Sequence, residues 1–263
     1  MSSDPSFVHR YGPWAVVTGA SDGIGAAFAR AAAARGLSVV LVARRADRLE
    51  TLAAELDAAH GAQTLVVAAD LATTAGVERT LAAIAALDVG LLIPAAGFGS
   101  IGPFVERALP AELEMVDLNV RAVVALAHPL GARMASRGRG GIVLLSSIVA
   151  FQGVPGSATY AATKAFVQSF AEALAGELRA RGVDVVSSAP GPVHSGFADR
   201  AGMVMGAAAT PAEVAESTLA SLGHAVTVRP GVLAKALGWS LATLPRFGRV
   251  WLMAHIMAGM KRG

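Results

Sequence analysis

At 263 residues the chain is long enough for one large α/β domain with a buried core and too short for two domains of ordinary size. It contains no cysteine, which excludes disulfides and thiolate metal sites and fits a reducing compartment. The formal charge of +3 hides an asymmetry: residues 217–263 hold six Lys or Arg and no acid, so the first 216 residues carry −3, and no basic stripe with recognition elements argues for nucleic acid.

The first dozen residues, Met1 to Gly12, carry Asp4, His9 and Arg10 without an apolar run, so no secretory signal is expected. No apolar stretch reaches the roughly 20 residues of a spanning helix, and a cytoplasmic location is the expectation. Trp14 to Thr18 reads as the first strand, followed by a glycine-rich turn and a helix over 23–35. Ser38 to Ala43 is the second strand, ending in Val42-Ala43-Arg44-Arg45 before a helix at 46–59. Thr64 to Ala69 and a helix at 74–86 follow, with Asp70 at the strand end; Gly90 to Ala95 then runs into Pro94-Ala95-Ala96-Gly97 and a long helix at 111–137. Gly141 to Ser146 delivers Ser147, the helix 158–181 carries Tyr160 and Lys164, and Val183 to Ser188 leads into Pro190-Gly191-Pro192-Val193. A helix at 211–222 and a seventh strand at Ala225 to Arg229 complete the alternation, which predicts a doubly wound, Rossmann-like parallel sheet of six to seven strands with helices on both faces. After Pro230 a basic, apolar tail reads as two short helices parted near Pro245.

Gly19, Gly23 and Gly25 lie between a strand and a helix, where glycine permits a tight turn and lets the backbone approach a pyrophosphate held by the helix N-terminus. The chain has two tyrosines and three lysines, and Tyr160 and Lys164 stand one helical turn apart on one face. Thirteen residues upstream is Ser147, and Asn119 sits in Asp117-Leu118-Asn119-Val120. The glycine spacing, with Thr18 in front, resembles the Thr-Gly-x-x-x-Gly-x-Gly loop of the short-chain dehydrogenase/reductase family. Ser147, Tyr160, Lys164 and Asn119 match that family's catalytic residues, and Pro190-Gly191-Pro192-Val193 matches its nicotinamide-side loop. The resemblance covers roughly residues 12–230, and the glycine loop is similar to that of the branch reducing 3-oxoacyl thioesters and 17-beta-hydroxysteroids. It departs at Pro94-Ala95-Ala96-Gly97, where the family has Asn-Asn-Ala-Gly or Asn-Ala-Gly, so altered local support is expected there. Ser195 replaces the more usual Thr facing the carboxamide of the nicotinamide.

The resemblance implies a cofactor cradle of Gly19, Ser21, Asp22, Gly23, Ile24, Gly25, Asp70, Leu71, Ala96, Gly97, Pro190, Gly191, Val193 and Ser195, shared with Tyr160 and Lys164. In nicotinamide enzymes that prefer the unphosphorylated cofactor, an acid about 20 residues beyond the glycine turn bonds the ribose hydroxyls. Here Arg44 and Arg45 stand instead, and a guanidinium grips a 2′-phosphate, so NADPH/NADP+ is expected; otherwise the two arginines merely solvate the strand end. Asp22 stands where many NADPH-dependent relatives have Ser, Arg or Lys, although the 3-oxoacyl and steroid branch keeps Asp there and uses NADPH. No metal is called for.

For a ketone, Tyr160 would donate the proton, Lys164 would favour the phenolate and hold the nicotinamide ribose, Ser147 would hold the substrate oxygen, and Asn119 would anchor a water chain. The substrate is expected to be a small apolar ketone or alcohol: steroid, acyl thioester or aryl ketone. Phe98, Phe151, Val154, Phe197 and Met203 would line its pocket unless they are core. Two readings stand beside reduction: an oxidative hydroxysteroid or hydroxyacyl dehydrogenase, and a nucleotide sensor without turnover. The small residues of 111–137 and 158–181 suggest, by family analogy, a homodimer or homotetramer. Residues 1–230 are read as the dinucleotide-binding and catalytic domain, and 231–263 as a tail that is either a flap over the cleft or an interfacial segment in peripheral contact with a membrane.

Overall fold

Short runs of aliphatic and β-branched residues, bounded by Gly, Pro and polar residues, form seven parallel strands: β1 (Trp14–Thr18), β2 (Ser38–Ala43), β3 (Thr64–Ala68), β4 (Val89–Pro94), β5 (Gly140–Leu145), β6 (Val183–Ser188) and β7 (Thr227–Val228). Their order across the sheet is β3-β2-β1-β4-β5-β6-β7. The structure is a computed structural model that describes residues 4–194 and 208–260. The chain winds outward from β1 first in one direction and then in the other, so a crevice opens beyond the C-terminal ends of β1 and β4.

Strand residues alternate between two cores. Ala15, Val17, Val39, Leu41, Leu91, Ile93 and Val143 face one layer, while Val16, Val40, Val42, Leu92, Ile142 and Leu144 face the other. The first layer is covered by α1 (Pro5–Tyr11), α2 (Gly23–Ala34), α3 (Ala46–His60) and α8 (Pro211–Ser221). The second is covered by α4 (Thr74–Ala83), α6 (Ala122–Arg137) and α7 (Ala158–Arg179). Alanines 26, 27, 29, 31, 32 and 33 are all buried along α2, where small side chains let the helix settle close to the sheet and to Ala215 and Leu219 of α8. The predicted doubly wound sheet is thus the observed architecture.

Two elements differ from the sequence reading. The N-terminal helix α1 was not predicted, although Asp4 caps it by accepting from the N–H groups of Ser6 and Phe7 and Pro5 opens it. It docks through Tyr11, whose hydroxyl donates to Asp184 Oδ2 at 2.7 Å. The single helix expected at 111–137 is two, α5 (Leu109–Val116) and α6, joined by a wide π-helical turn over Asp117–Arg121. Hydrophobic periodicity runs through such a turn, which is why it was invisible. Arg121 stabilises it, donating to Asp117 Oδ1 at 2.7 Å and to the Ala72 carbonyl at 2.6 Å.

The tail forms α9 (Val232–Thr243) and α10 (Arg246–Met260), parted at Pro245. Among the described residues no helix is long and apolar enough to cross a membrane.

Candidate active site

The glycine turn follows β1 directly. Gly19 has φ +65°, and a Cβ there would stand 2.8 Å from Ala96 Cα; one at Gly25 would stand 2.2 Å from the Gly19 carbonyl oxygen. No side chain fits at either place, so two glycines are required to bring β1, the loop after β4 and the start of α2 together. Asp22 caps α2 by accepting from Gly23 N–H at 2.7 Å, leaving later first-turn N–H groups facing the crevice. Thr18 Oγ1 accepts from Ala96 N–H at 3.0 Å, so a threonine of β1 supports the loop that lacks the family's asparagines.

Around this turn lies a cavity of about 510 Å³. Its wall includes Gly19, Ser21, Asp22, Gly23, Ile24 and Gly25 from the turn, then Arg44 and Arg45 at the end of β2, and Asp70 and Leu71 at the end of β3. Ala96, Gly97, Pro190, Gly191 and Val193 continue it. Arg45 Nη2 donates to Ser21 Oγ at 3.1 Å, so the second arginine already leans across the mouth of the glycine turn. Arg44 has a loose, exposed neighbour among the described residues, Glu114 at 3.9 Å, and an ion pair of that kind contributes little. Asp70 Oδ1 accepts from Ala72 N–H at 3.1 Å, so the carboxylate closes its own turn as well as lining the wall. Ser195 lies outside the described residues.

At the centre of the cavity β5 delivers Ser147, and the first turns of α7 deliver Tyr160 and Lys164. Ser147 and Tyr160 stand together in the cavity wall. Burial pushes the phenol up to about 12, with the Ser147 hydroxyl acting in the opposite sense. Lys164 Nζ lies 5.7 Å from the centre of the Tyr160 ring and donates to the Leu145 carbonyl at 2.7 Å. Burial brings this ammonium down to about 8.

Asn119 is 2 % exposed and does not line the cavity. The π-helical turn aims its amide at the loop after β4: Oδ1 accepts from Phe98 N–H at 3.1 Å, and Nδ2 donates to the Phe98 carbonyl at 2.9 Å and to Thr163 Oγ1 at 3.1 Å. Gly97 is pressed between these parts, since a Cβ there would lie 2.9 Å from Asn119 Oδ1 and 3.9 Å from Lys164 Nζ. The geometry makes Asn119 a clamp that ties the Phe98 loop to the helix carrying Tyr160 and Lys164.

The remaining wall is apolar. Phe98, Ile148 and Val149 face Leu237 and Leu241 of α9 and Met253 and Ile256 of α10, with the hydroxyls of Ser100 and Ser157 as polar points. The tail is therefore packed over the catalytic end of the cavity, and Leu241 and Met253 are each only 4 % exposed. The sequence reading described the tail as basic and apolar but assigned none of these four residues to the pocket. Their three- and four-residue spacings mark a buried stripe, while the surface it covers is not encoded locally.

Two expected pocket residues are elsewhere. Phe151 turns away from the main cavity to lie under Arg229, whose guanidinium carbon is 4.7 Å from the ring centre, beside a separate void of about 50 Å³. Val154, 2 % exposed, is enclosed by the packing of Leu241 and Met253 and so belongs to the lid's small core. Phe197 and Met203 lie outside the described residues. Arg229 also fits α9 itself: a Cβ at Gly238 would stand 2.6 Å from Arg229 Cδ, so the mid-helix glycine makes room for this side chain. Arg249 donates to the Leu244 carbonyl at 2.9 Å and the Ala242 carbonyl at 3.2 Å, capping α9 and holding the two tail helices as a hairpin. No group of three or more metal-ligating side chains occurs among the described residues.

A family model described as short chain dehydrogenase matches residues 13–203. A 7beta-hydroxysteroid dehydrogenase of Collinsella aerofaciens is 31 % identical over 235 residues, covering 84 % of this chain and 87 % of its own length. A very-long-chain 3-oxoacyl-CoA reductase of Scheffersomyces stipitis is 40 % identical over 185 residues, 66 % of this chain, and the match spans only 54 % of that longer relative. A solved structure of a short-chain dehydrogenase from Sphingobium yanoikuyae in complex with NADPH superposes with a TM-score of 0.80 at 29 % identity, covering 89 % of this chain and 97 % of that one.

Proposed function

The chain belongs to the short-chain dehydrogenase/reductase family and is an oxidoreductase acting on the CH–OH/C=O couple; from that premise we propose that it reduces bulky apolar ketones with NADPH. Residues 1–230 are taken as the dinucleotide-binding and catalytic unit and 231–263 as its lid. The observation that carries the reading is one continuous cavity running from Arg44 and Arg45, past Ser147, Tyr160 and Lys164, to an apolar end roofed by Leu237, Leu241, Met253 and Ile256.

The residues present fit a dinucleotide. The cradle where Cβ atoms at Gly19 and Gly25 would collide with backbone is the shape a pyrophosphate needs at a helix N-terminus. When bound, the cofactor supplies the two-electron reductant. Arg44 and Arg45 would hold the 2′-phosphate, Asp70 and Leu71 the adenine side, and Gly97, Pro190, Gly191 and Val193 the nicotinamide side, with Ser195 on the carboxamide. Arg44→Asp removes one cation and adds a carboxylate that repels phosphate and accepts from ribose hydroxyls. The ratio of kcat/KM for NADPH over NADH is expected to fall by about tenfold or more, as a charge-assisted phosphate contact would require. An unmutated protein that already prefers NADH would overturn the assignment.

In the proposed reaction the Ser147 hydroxyl donates to the ketone oxygen and Tyr160 delivers the proton as negative charge grows there. A phenol held near 12 is protonated at neutral pH and is ready as the acid. Lys164 lies within electrostatic reach of it and stabilises the phenolate left behind. Asn119, through Phe98 and Thr163, keeps the substrate loop and α7 in register. Run in reverse, the same groups oxidise an alcohol, and the reductive direction is preferred here on the arginine pair.

The apolar end of the cavity presents no charged side chain among the described residues, which favours a large uncharged ketone. Relatives named for hydroxysteroids and for 3-oxoacyl-CoA make a fused-ring or long-chain 3-oxo compound the first candidates. NADPH consumption against a 7-oxosteroid, a long-chain 3-oxoacyl thioester and a bulky aryl ketone tests this. NADPH binding without turnover of any of them would favour a nucleotide sensor. Leu109, Leu113 and Val116 of α5, Val124 of α6 and Phe166 of α7 are exposed apolar positions, and we read them as a subunit contact. Light scattering is expected to give a dimer or tetramer, and a monomer at micromolar concentration would remove this reading.

A further inference from the structure

The lid has a second face. Because Leu237, Leu241, Met253 and Ile256 all point into one cavity, the opposite sides of α9 and α10 both face away from the body of the protein. That outer side carries Trp239, Phe247 and Trp251, exposed by 75 %, 79 % and 63 %. Phe247, Trp251 and His255 recur every four residues along α10, and the Trp251 and His255 rings approach to 4.2 Å between centres. The exposed cations Lys235 and Arg246 stand among these rings.

We propose that this outer face of the lid docks on an anionic lipid surface. Trp and Phe interleaved with Lys and Arg suit the headgroup boundary, where an amphipathic ring is half immersed and a long cationic side chain reaches phosphate. Charge selects the occupant. Lys235 and Arg246 are exposed on the tail helices and residues 231–260 hold no acid, so a two-fold contact through this face would set four cations against each other with no carboxylate from the same segment to pair them. An anionic bilayer reverses that cost, and the like-charged lids of neighbouring molecules then lie side by side on it. The reading of the cavity as a site for an apolar ketone enters only as the benefit: docking would bring the roof of the substrate site to the membrane, where such a compound partitions.

The full-length protein is to be sedimented with vesicles of phosphatidylcholine alone and with about a third phosphatidylglycerol, at low and high salt. It is expected to sediment with the anionic vesicles at low salt, to be released by high salt, and to stay in solution with the neutral ones. The triple variant Trp239→Ser, Phe247→Ser, Trp251→Ser alters only exposed positions and is expected to lose about tenfold or more in vesicle affinity, with unchanged turnover of a water-soluble ketone. Three results would each overturn the proposal: full-length protein left in the supernatant with anionic vesicles, a triple variant that binds as well as the parent, or a triple variant that forms a smaller assembly than the parent without lipid, which would make the face a subunit contact. Vesicle binding needs no substrate. Binding without ketone turnover would therefore leave the docking surface standing and remove the ketone reading, and the converse result would do the reverse.

Discussion

Replacing Tyr160 with phenylalanine is expected to lower kcat for ketone reduction by at least about a hundredfold, the lower end of what a positioned acid contributes, while the NADPH dissociation constant changes little. The substitution removes one oxygen and keeps the ring that packs at the cavity wall, beside the small core of Ile148, Val149 and Ala161. Its structural cost is small, because the neighbouring Ser147 hydroxyl still accepts from the Val149 N–H and water can take the place of the phenol oxygen in the open cavity. The loss therefore belongs to proton delivery and not to folding. Single-turnover kinetics at saturating NADPH, with cofactor fluorescence for binding, separate the two. A Phe variant retaining a tenth or more of the parent's kcat, about the most a secondary contact would explain, removes Tyr160 from the role of acid.

Lys164→Met is expected to move activity and stability in opposite directions. Burial holds the ammonium near pKa 8 in the folded protein against 10.5 for the unperturbed group. Between those two values the unfolded chain binds more protons, so stability rises with pH across that window, and at neutral pH the penalty of burying the charge is fully present. Methionine removes that penalty, estimated at about 1–3 kcal/mol because the side chain still reaches the open cavity, and leaves the Leu145 carbonyl unpaired at a cost of about 1 kcal/mol. The cofactor-free variant should therefore melt a few degrees higher than the parent at pH 7, with the difference shrinking as pH rises and reversing above about pH 10, where only the lost Leu145 hydrogen bond remains. Turnover should fall by about a hundredfold or more and NADPH should bind more weakly, since the charge beside the phenol and the proposed ribose contact are both lost. The parent's reductive kcat/KM should decline as pH rises through about 8, where the folded lysine gives up its proton. Calorimetry across pH on both proteins checks the sign, and a variant less stable than the parent at pH 7 refutes the account of Lys164 as a destabilising charge kept for chemistry.

Strand and helix periods, and the turn residues between them, were sufficient to specify the doubly wound sheet. Each of Val16/Val17, Val40/Leu41 and Leu91/Leu92 commits its side chains to opposite layers through a period of two that needs no distant partner to be read. The glycine turn was legible for the same reason: Gly19, Gly23 and Gly25 occur between a strand and a helix, and only a residue without a Cβ fits where the backbones meet. Tyr160 and Lys164 were legible as a pair because one helical turn sets their spacing, and the structure brings both to one cavity with Ser147.

What tertiary structure decided lies where a residue's partner is distant in sequence. The wide turn at Asp117–Arg121 is held by Ala72 and directs Asn119 to Phe98 and Thr163, three contacts between 21 and 49 residues away that no local period records. Thr18 supports Ala96 across 78 residues, which explains how the loop after β4 is held without the expected asparagines. Phe151 and Val154 had the right chemistry for a pocket and were drawn instead under Arg229 and the lid, because a tail some 80 to 100 residues further on covers them. The composition of that tail by itself determined that it would be amphipathic, aromatic and cationic. Only packing determined that Leu237, Leu241, Met253 and Ile256 close the cavity while Trp239, Phe247 and Trp251 remain outside, since an apolar stripe encodes the need for burial and not the surface that provides it.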